Sequence, residues 1–363
     1  MESLYEHYQM IRKSYYQIDI DPGDLFASPK SKQKCNQFIR DHFTRGCKKG
    51  AFAITDSYKK KYLSSGKQQH TVSLYLLGLA FSPSFERLIR NKLQEFFNLG
   101  EWYRFKYSWF LTCLYHDITS CVEKNARFDY DIEKIRQRKL FGQADQHKGI
   151  LRFPVDTYYN YMIYRQKAGA TEHGIVAGIE LFERLYQSFA KNTAKHNWDC
   201  NPNYYQVNLI LRREHIPHFA YIADAICCHN IWLASKNNKE LCQKYEEASL
   251  DNLVVRSDLD KLSLAEYPLQ FMLCLLDTIE PIKRFENLAP DVVLKNIFLE
   301  LHDNGLTLGW TPLIKEQLQF FDWLRPIATI GEWMQISGAS CVHNDDLCSI
   351  TLSWNNEQTK RGK

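Results

Sequence analysis

The chain reads as a mainly α-helical protein: a helical body with a helical N-terminal lead-in and a small C-terminal appendage in which two strands form a hairpin. Three observations carry this. Apolar runs of helical length recur through the middle of its 363 residues. Histidine and aspartate sit at the ends of those runs. Alternation of apolar and polar residues sufficient for two short strands appears near the C-terminus.

Residues 1–66 are polar, with a turn at Asp21-Pro22-Gly23-Asp24 and a helix beginning in SPKSKQKCNQFIRDHF. This is the lead-in. The body spans 67–290 and opens with HTVSLYLLGLAF, SFERLIRNKLQEFF and RFKYSWFLTCLYHDITSCVE. In the second of these, Phe85, Leu88, Ile89, Leu93, Phe96 and Phe97 recur at spacings near three and four, a core-facing stripe. Lys124 to Asp156 is charged and irregular and reads as a solvated helix or loop. EHGIVAGIELFERLYQSFA is amphipathic, and HIPHFAYIADAICCHNIWLAS and YPLQFMLCLLDTIEPIKRF are apolar enough to be buried helices. In the appendage, 291–363, DVVLKNIFLELHDN and PLIKEQLQFFDWLRPI read as helices. GEWMQISGASCVHNDDLCSITLSW reads as two strands around an Asn-Asp-Asp turn.

Composition narrows the function. Hydrophobic residues make up 45%, charged residues 24% and aromatics 14%, values of a folded globular chain. The net charge of +4, from 46 basic and 42 acidic residues, gives no broad basic surface for nucleic acid. A strand-binding groove near Lys59, Lys60 and Lys61 is therefore disfavoured against a solvated lysine run. The 11 cysteines form no CxxC pair, and Cys113, Cys227, Cys228 and Cys274 lie in apolar runs as reduced core residues. No apolar stretch has the length of a membrane span, and MESLYEHYQMIRK lacks the features of a secretory signal. The expected setting is the cytoplasm, without a membrane. Oligomeric state is not encoded legibly.

The chemistry is concentrated at helix ends. His70 opens the first apolar helix, His116 and Asp117 close another, His173 opens the next, His229 closes a fourth, and Asp277 lies inside LCLLDTIEP. Taken singly, a histidine at a helix end is more often a cap or a satisfied core residue than a ligand. A carboxylate buried at Asp277, however, costs several kcal/mol unless a metal or another cation accompanies it. Helices packed around one core can aim such an ordered set at one point.

That order resembles the HD superfamily of metal-dependent phosphohydrolases over residues 66–290: a first histidine, an HD dyad and a late aspartate. The histidines of TEHGIVAG and ICCHN are similar to those of its two-metal members. The resemblance implies an HD-domain bundle in which His70, His116, Asp117 and Asp277 bind one ion, while Asp117 bridges to a second held by His173 and His229. HDITS stands where HDIGK marks the cyclic-dinucleotide branch, and the GYP triplet is missing, which sets the chain apart from that branch. Imidazole and carboxylate donors suit two divalent ions of iron, manganese, nickel, cobalt or zinc, less readily magnesium. Asp117 would be the central catalytic carboxylate, and a hydroxide bridging the ions would cleave a phosphoester or phosphoanhydride of a small phosphorylated substrate, foremost a nucleotide. Lys283, Arg284 and Arg165 are candidates to bind its phosphate, beside Lys167, Lys191 and Lys195. Each competes with the reading of a solvated helix end. Glu123 is a candidate general acid or an exposed helix charge. His196, His215 and His218 could add a donor, although His215 and His218 flank a proline and read as caps. Two other functions stay open: a mixed-valent di-iron oxygenase with the same donors, and a non-catalytic metal-binding regulatory module.

Overall fold

A computed structural model describes residues 1–14, 22–27, 29–44, 67–96, 105–123, 131–194, 216–343 and 348–354. Lys59–Lys61, Lys195, His196, His215, the Lys191 side chain and the Asn344-Asp345-Asp346 turn lie outside these. The fold is mainly helical with a small antiparallel sheet near the C-terminus. None of the described helices is long and apolar enough to cross a membrane. The chain compacts into two units, neither continuous: residues 1–38, 66–88 and 255–363 form one, and 39–65 with 89–254 the other.

The first unit combines a sheet with helices that include α1 (Leu4–Ser14), α3 (Lys67–Ala80), α10 (Pro268–Ile279) and α11 (Phe320–Ala328), together with parts of α2 (Ser31–Thr44) and α4 (Ser82–Gln94). Helix α3 is buried along nearly all of its sides and α10 likewise, as expected of helices apolar all round. In α10, Leu273, Leu275 and Leu276 are inaccessible, each contributing about 1.5–3 kcal/mol by leaving water. Pro268 starts α10 where no amide partner is needed, and Pro281 follows its end.

The sheet has the order β1-β2-β3-β5-β4, all antiparallel, with β1 at Glu2–Ser3, β2 at Ile297–His302, β3 at Gly305–Trp310, β4 at Ile336–His343 and β5 at Cys348–Trp354. The hairpin expected from the alternation is β4–β5, closed at His343 and Cys348. The helix expected over DVVLKNIFLELHDN ends after Pro290–Lys295, and the rest is strand. There Ile297 and Leu299 face inward at period two, and Asp303-Asn304 turns the chain so that His302 pairs with Gly305. The helix expected over PLIKEQLQFFDWLRPI is likewise divided, into Pro312–Lys315 and α11. Phe85, Phe271 and Trp354 meet at ring distances of 6.0–6.3 Å, fixing β5 against α10 and α4. Trp323 on α11 donates its indole N–H to the Ile279 carbonyl at 3.1 Å, which anchors the end of α10.

The second unit is helical: α5 (Phe105–His116), α6 (Val155–Lys167), α7 (His173–Ala194), α8 (Ile216–Cys228) and α9 (Lys239–Glu247). Helices α5, α7 and α8 pack on one another. Helix α6 was not expected from the sequence; it ends at Gly169, whose φ of +77° suits a residue without Cβ. The described part of the charged stretch before it, from residue 131, forms short helical turns and buries Ile135, Leu140 and Phe141 rather than being wholly solvated. Helices α7 and α8 approach closely because Gly174 and Gly178 face the partner. A Cβ at Gly178 would lie 2.4 Å from the Ala223 carbonyl oxygen and from Cys227 Sγ.

Between α6 and α8 lies a buried polar cluster. The Tyr158 hydroxyl donates to Asp224 Oδ1, and the Arg152 N–H donates to Asp224 Oδ2 at 3.1 Å. Burial pushes Asp224 up to about 6, against the hydrogen bonds that favour its charged form. Because the folded pKa exceeds the unfolded one near 3.8, Asp224 adds its stability below about pH 4. That contribution is lost as pH rises through 6. The expected loss between pH 4 and pH 8 is on the order of 2–3 kcal/mol. Asp224→Asn should flatten that slope in urea titrations at the two pH values. An unchanged slope would assign it to other groups.

Candidate metal centre

In the second unit, the end of α5 and the start of α7 deliver the ligand-type side chains. His116 is the last residue of α5, and its Nδ1–H donates to the Cys113 carbonyl at 2.7 Å. His229 directly follows α8, and its Nδ1–H donates in the same way to the Ile226 carbonyl at 2.7 Å. A carbonyl can only accept, so both rings carry a proton on Nδ1, which leaves Nε2 as the candidate ligand nitrogen. Histidines that bind metals are held in this tautomer by such outer partners.

Asp117, buried beside His116, stands among the imidazoles. Its Oδ1 is 3.3 Å from His173 Nε2 and its Oδ2 is 3.6 Å from His116 Nε2. The His229 ring lies edge-on to both His116 and His173, with centroids 5.3 Å away in each case. Ligand atoms of Asp117, His173 and His229 all lie within 4.8 Å of one another, a group that could hold a metal ion.

His173 is the most telling of these. It opens α7, its ring is buried, and neither ring nitrogen makes a well-formed hydrogen bond. Glu123 Oε2 is 3.5 Å from its Nδ1. Burial pulls the imidazole pKa down, but Asp117, Glu123 and Glu172 outweigh it and push it up to about 10. Two buried ring nitrogens without a well-formed hydrogen bond meet a condition that coordination to a metal would relieve.

A strap holds this arrangement. The Thr119 hydroxyl donates to the His173 carbonyl at 2.7 Å, and the Thr171 N–H donates to the Glu123 carbonyl at 3.0 Å. Arg165 on α6 ties Glu123 Oε1 at 3.1 Å and lies 3.4 Å from Glu172 Oε2. Proximity to His173 holds Glu123 below the usual carboxylate range, whereas burial pushes Glu172 up. Arg165, a candidate phosphate binder from sequence, is thus engaged with two carboxylates.

In the first unit, His70 on α3 and Asp277 on α10 meet, with Nε2 3.0 Å from Asp277 Oδ1. The other face of His70 is held by Glu280, whose Oε2 accepts from Nδ1 at 2.6 Å. Glu280 is inaccessible and accepts the Ile282 N–H at 3.0 Å. Lys283, also a phosphate candidate, donates to Asp277 Oδ1 at 2.5 Å and supplies a cation for that carboxylate. Arg284 is half-buried on the next turn, with its Nε buried and unbonded.

Sequence reasoning missed Glu172 and Glu280. Their signal was position: each adjoins a candidate ligand, in TEHG and in LLDTIEP. Glu123 is half-buried beside His173, unlike an exposed helix charge. His218, expected as a cap, is a buried residue of α8 bonded through Nε2 to Ser108 Oγ at 2.8 Å. Lys167 is exposed. No family model, curated protein or solved structure matches the chain.

Proposed function

We propose that the protein is a metal-dependent phosphohydrolase of the HD type, acting on a nucleotide or another small phosphorylated substrate. The observation that carries the reading is the Asp117 carboxylate, which turns one oxygen toward His173 and the other toward His116. A carboxylate that serves two histidine sets is what a bridging ligand requires. The tautomers of His116 and His229 support the same role. His173 and His229 would hold one ion with Asp117. By the order of the residues along the chain, His70, His116 and Asp277 would hold the second, also with Asp117. Iron, manganese, nickel, cobalt and zinc suit these donors, magnesium less so. When bound, the ions would supply Lewis acidity toward a phosphoryl oxygen and a lowered pKa for water.

The chain's own residues supply the rest. Glu280 orients His70, Glu123 and Arg165 steady His173, and Arg284 is the candidate cation for substrate phosphate, since Lys283 is engaged by Asp277. Glu280→Gln keeps an acceptor for His70 but removes the charge. It is expected to weaken metal binding about 10- to 100-fold in a chelator competition; wild-type affinity would remove Glu280 from the centre.

The test of the activity is phosphate release from nucleoside phosphoesters and phosphoanhydrides by protein reconstituted with manganese or iron. Release that chelation abolishes and metal restores is expected. Metal-loaded protein inert toward the whole panel, under air and without it, would overturn the hydrolase reading.

A further inference from the structure

The segment after His229 carries an unusual tryptophan. Trp109, Trp310 and Trp323 are wholly buried, whereas Trp232, three residues past His229, is 61% exposed. It is nevertheless held at three points. Its indole N–H donates to Asn230 Oδ1 at 3.1 Å, its backbone N–H to the Tyr161 hydroxyl at 3.3 Å, and its carbonyl accepts from the Tyr245 hydroxyl at 2.8 Å. Tyr161 and Tyr245 are themselves buried.

The anchoring runs back to the candidate metal ligands. Asn230 Nδ2 donates to Glu172 Oε1 at 2.9 Å, and the same oxygen accepts the Gly174 N–H at 3.2 Å. The indole is therefore keyed to both residues that flank His173 and to the segment that carries His229. An exposed aromatic ring with a fixed orientation loses little freedom on contact and offers a flat apolar face.

We infer that Trp232 is a stacking platform for the planar base of the substrate, which makes the substrate class a nucleotide rather than a sugar phosphate. The inference rests on the phosphohydrolase reading, because the metal centre would take the phosphate while the indole takes the base. Stacking of a base on an aromatic side chain is worth about tenfold or more in affinity.

The test compares adenosine 5′-monophosphate with ribose 5-phosphate by calorimetry on the manganese-loaded full chain. Wild type should bind the nucleotide about tenfold or more tightly than the sugar phosphate. Trp232→Ala should lose that margin and leave ribose 5-phosphate unchanged, and Trp232→Phe should keep most of it. Equal affinities for the two ligands in wild type, or equal losses of both in Trp232→Ala, would overturn the platform and leave the metal centre standing. Manganese-independent binding of both ligands, or binding of neither, would overturn the phosphohydrolase reading and this inference together.

Discussion

Asp117→Ala is expected to abolish metal retention and phosphate release together. Outer residues that only orient a metal ligand cost 10- to 100-fold in affinity when removed. Asp117 contacts the ligand nitrogens directly, so its loss should exceed about 100-fold at both positions. His229→Ala should be milder, because it leaves Asp117 and the remaining histidines in place and weakens mainly one ion. A difference between these two variants separates a shared bridging carboxylate from a set of equivalent ligands. If both lose the same amount of metal by elemental analysis, Asp117 is not a bridge.

The second large effect concerns stability. Gly178→Ala would gain helix propensity of about 1 kcal/mol on α7. Its Cβ, however, would meet the Ala223 carbonyl oxygen and Cys227 Sγ at 2.4 Å, and backbone oxygen cannot swing aside. Overpacking of this kind costs about 1–3 kcal/mol, occasionally more, so α7 and α8 must part and the net change is destabilising. For a net cost of about 1–2 kcal/mol in a unit of this size, a fall in melting temperature of roughly 2–8 °C is expected. At Gly174 a Cβ would meet both the His229 ring and the Ile226 carbonyl oxygen at 2.9 Å, so Gly174→Ala should lower metal affinity as well as melting temperature. A Gly178→Ala protein that melts at or above the wild-type temperature would refute the close packing of these helices.

The helices around the candidate centre were legible because they are apolar over nearly their whole length; a run such as FMLCLL can only be buried, whereas Asp277 after it, expected to be buried, is partly exposed. The ligand-type residues were legible for the same reason: His116, His173, His229 and Asp277 interrupt or end such runs, where charge is conspicuous. Helix α6 was not legible, since DTYYNYMIYRQK mixes tyrosines with polar residues and shows neither period clearly. The pairing of β1 with β2 joins residues 2 and 299 and leaves no local trace in two residues of sequence. Strand β2 was read as helix because IFLELH satisfies spacings of both two and four over so short a length. Glu172 and Glu280 were overlooked because a glutamate at a helix end ordinarily faces water; only the packing shows them buried. The close approach of α7 and α8 rests on Gly174 and Gly178, one helical turn apart, a role that only the packing shows.

Because two ions bridged by one carboxylate are the centre of the account, their separation is its most direct measure. X-ray absorption at the metal edge, on full-length protein loaded with manganese or iron, should show nitrogen and oxygen donors and a second metal at about 3.5–4 Å. That scattering path should vanish in Asp117→Ala. A wild-type spectrum with a single isolated metal, or with thiolate donors, would contradict the bridged site.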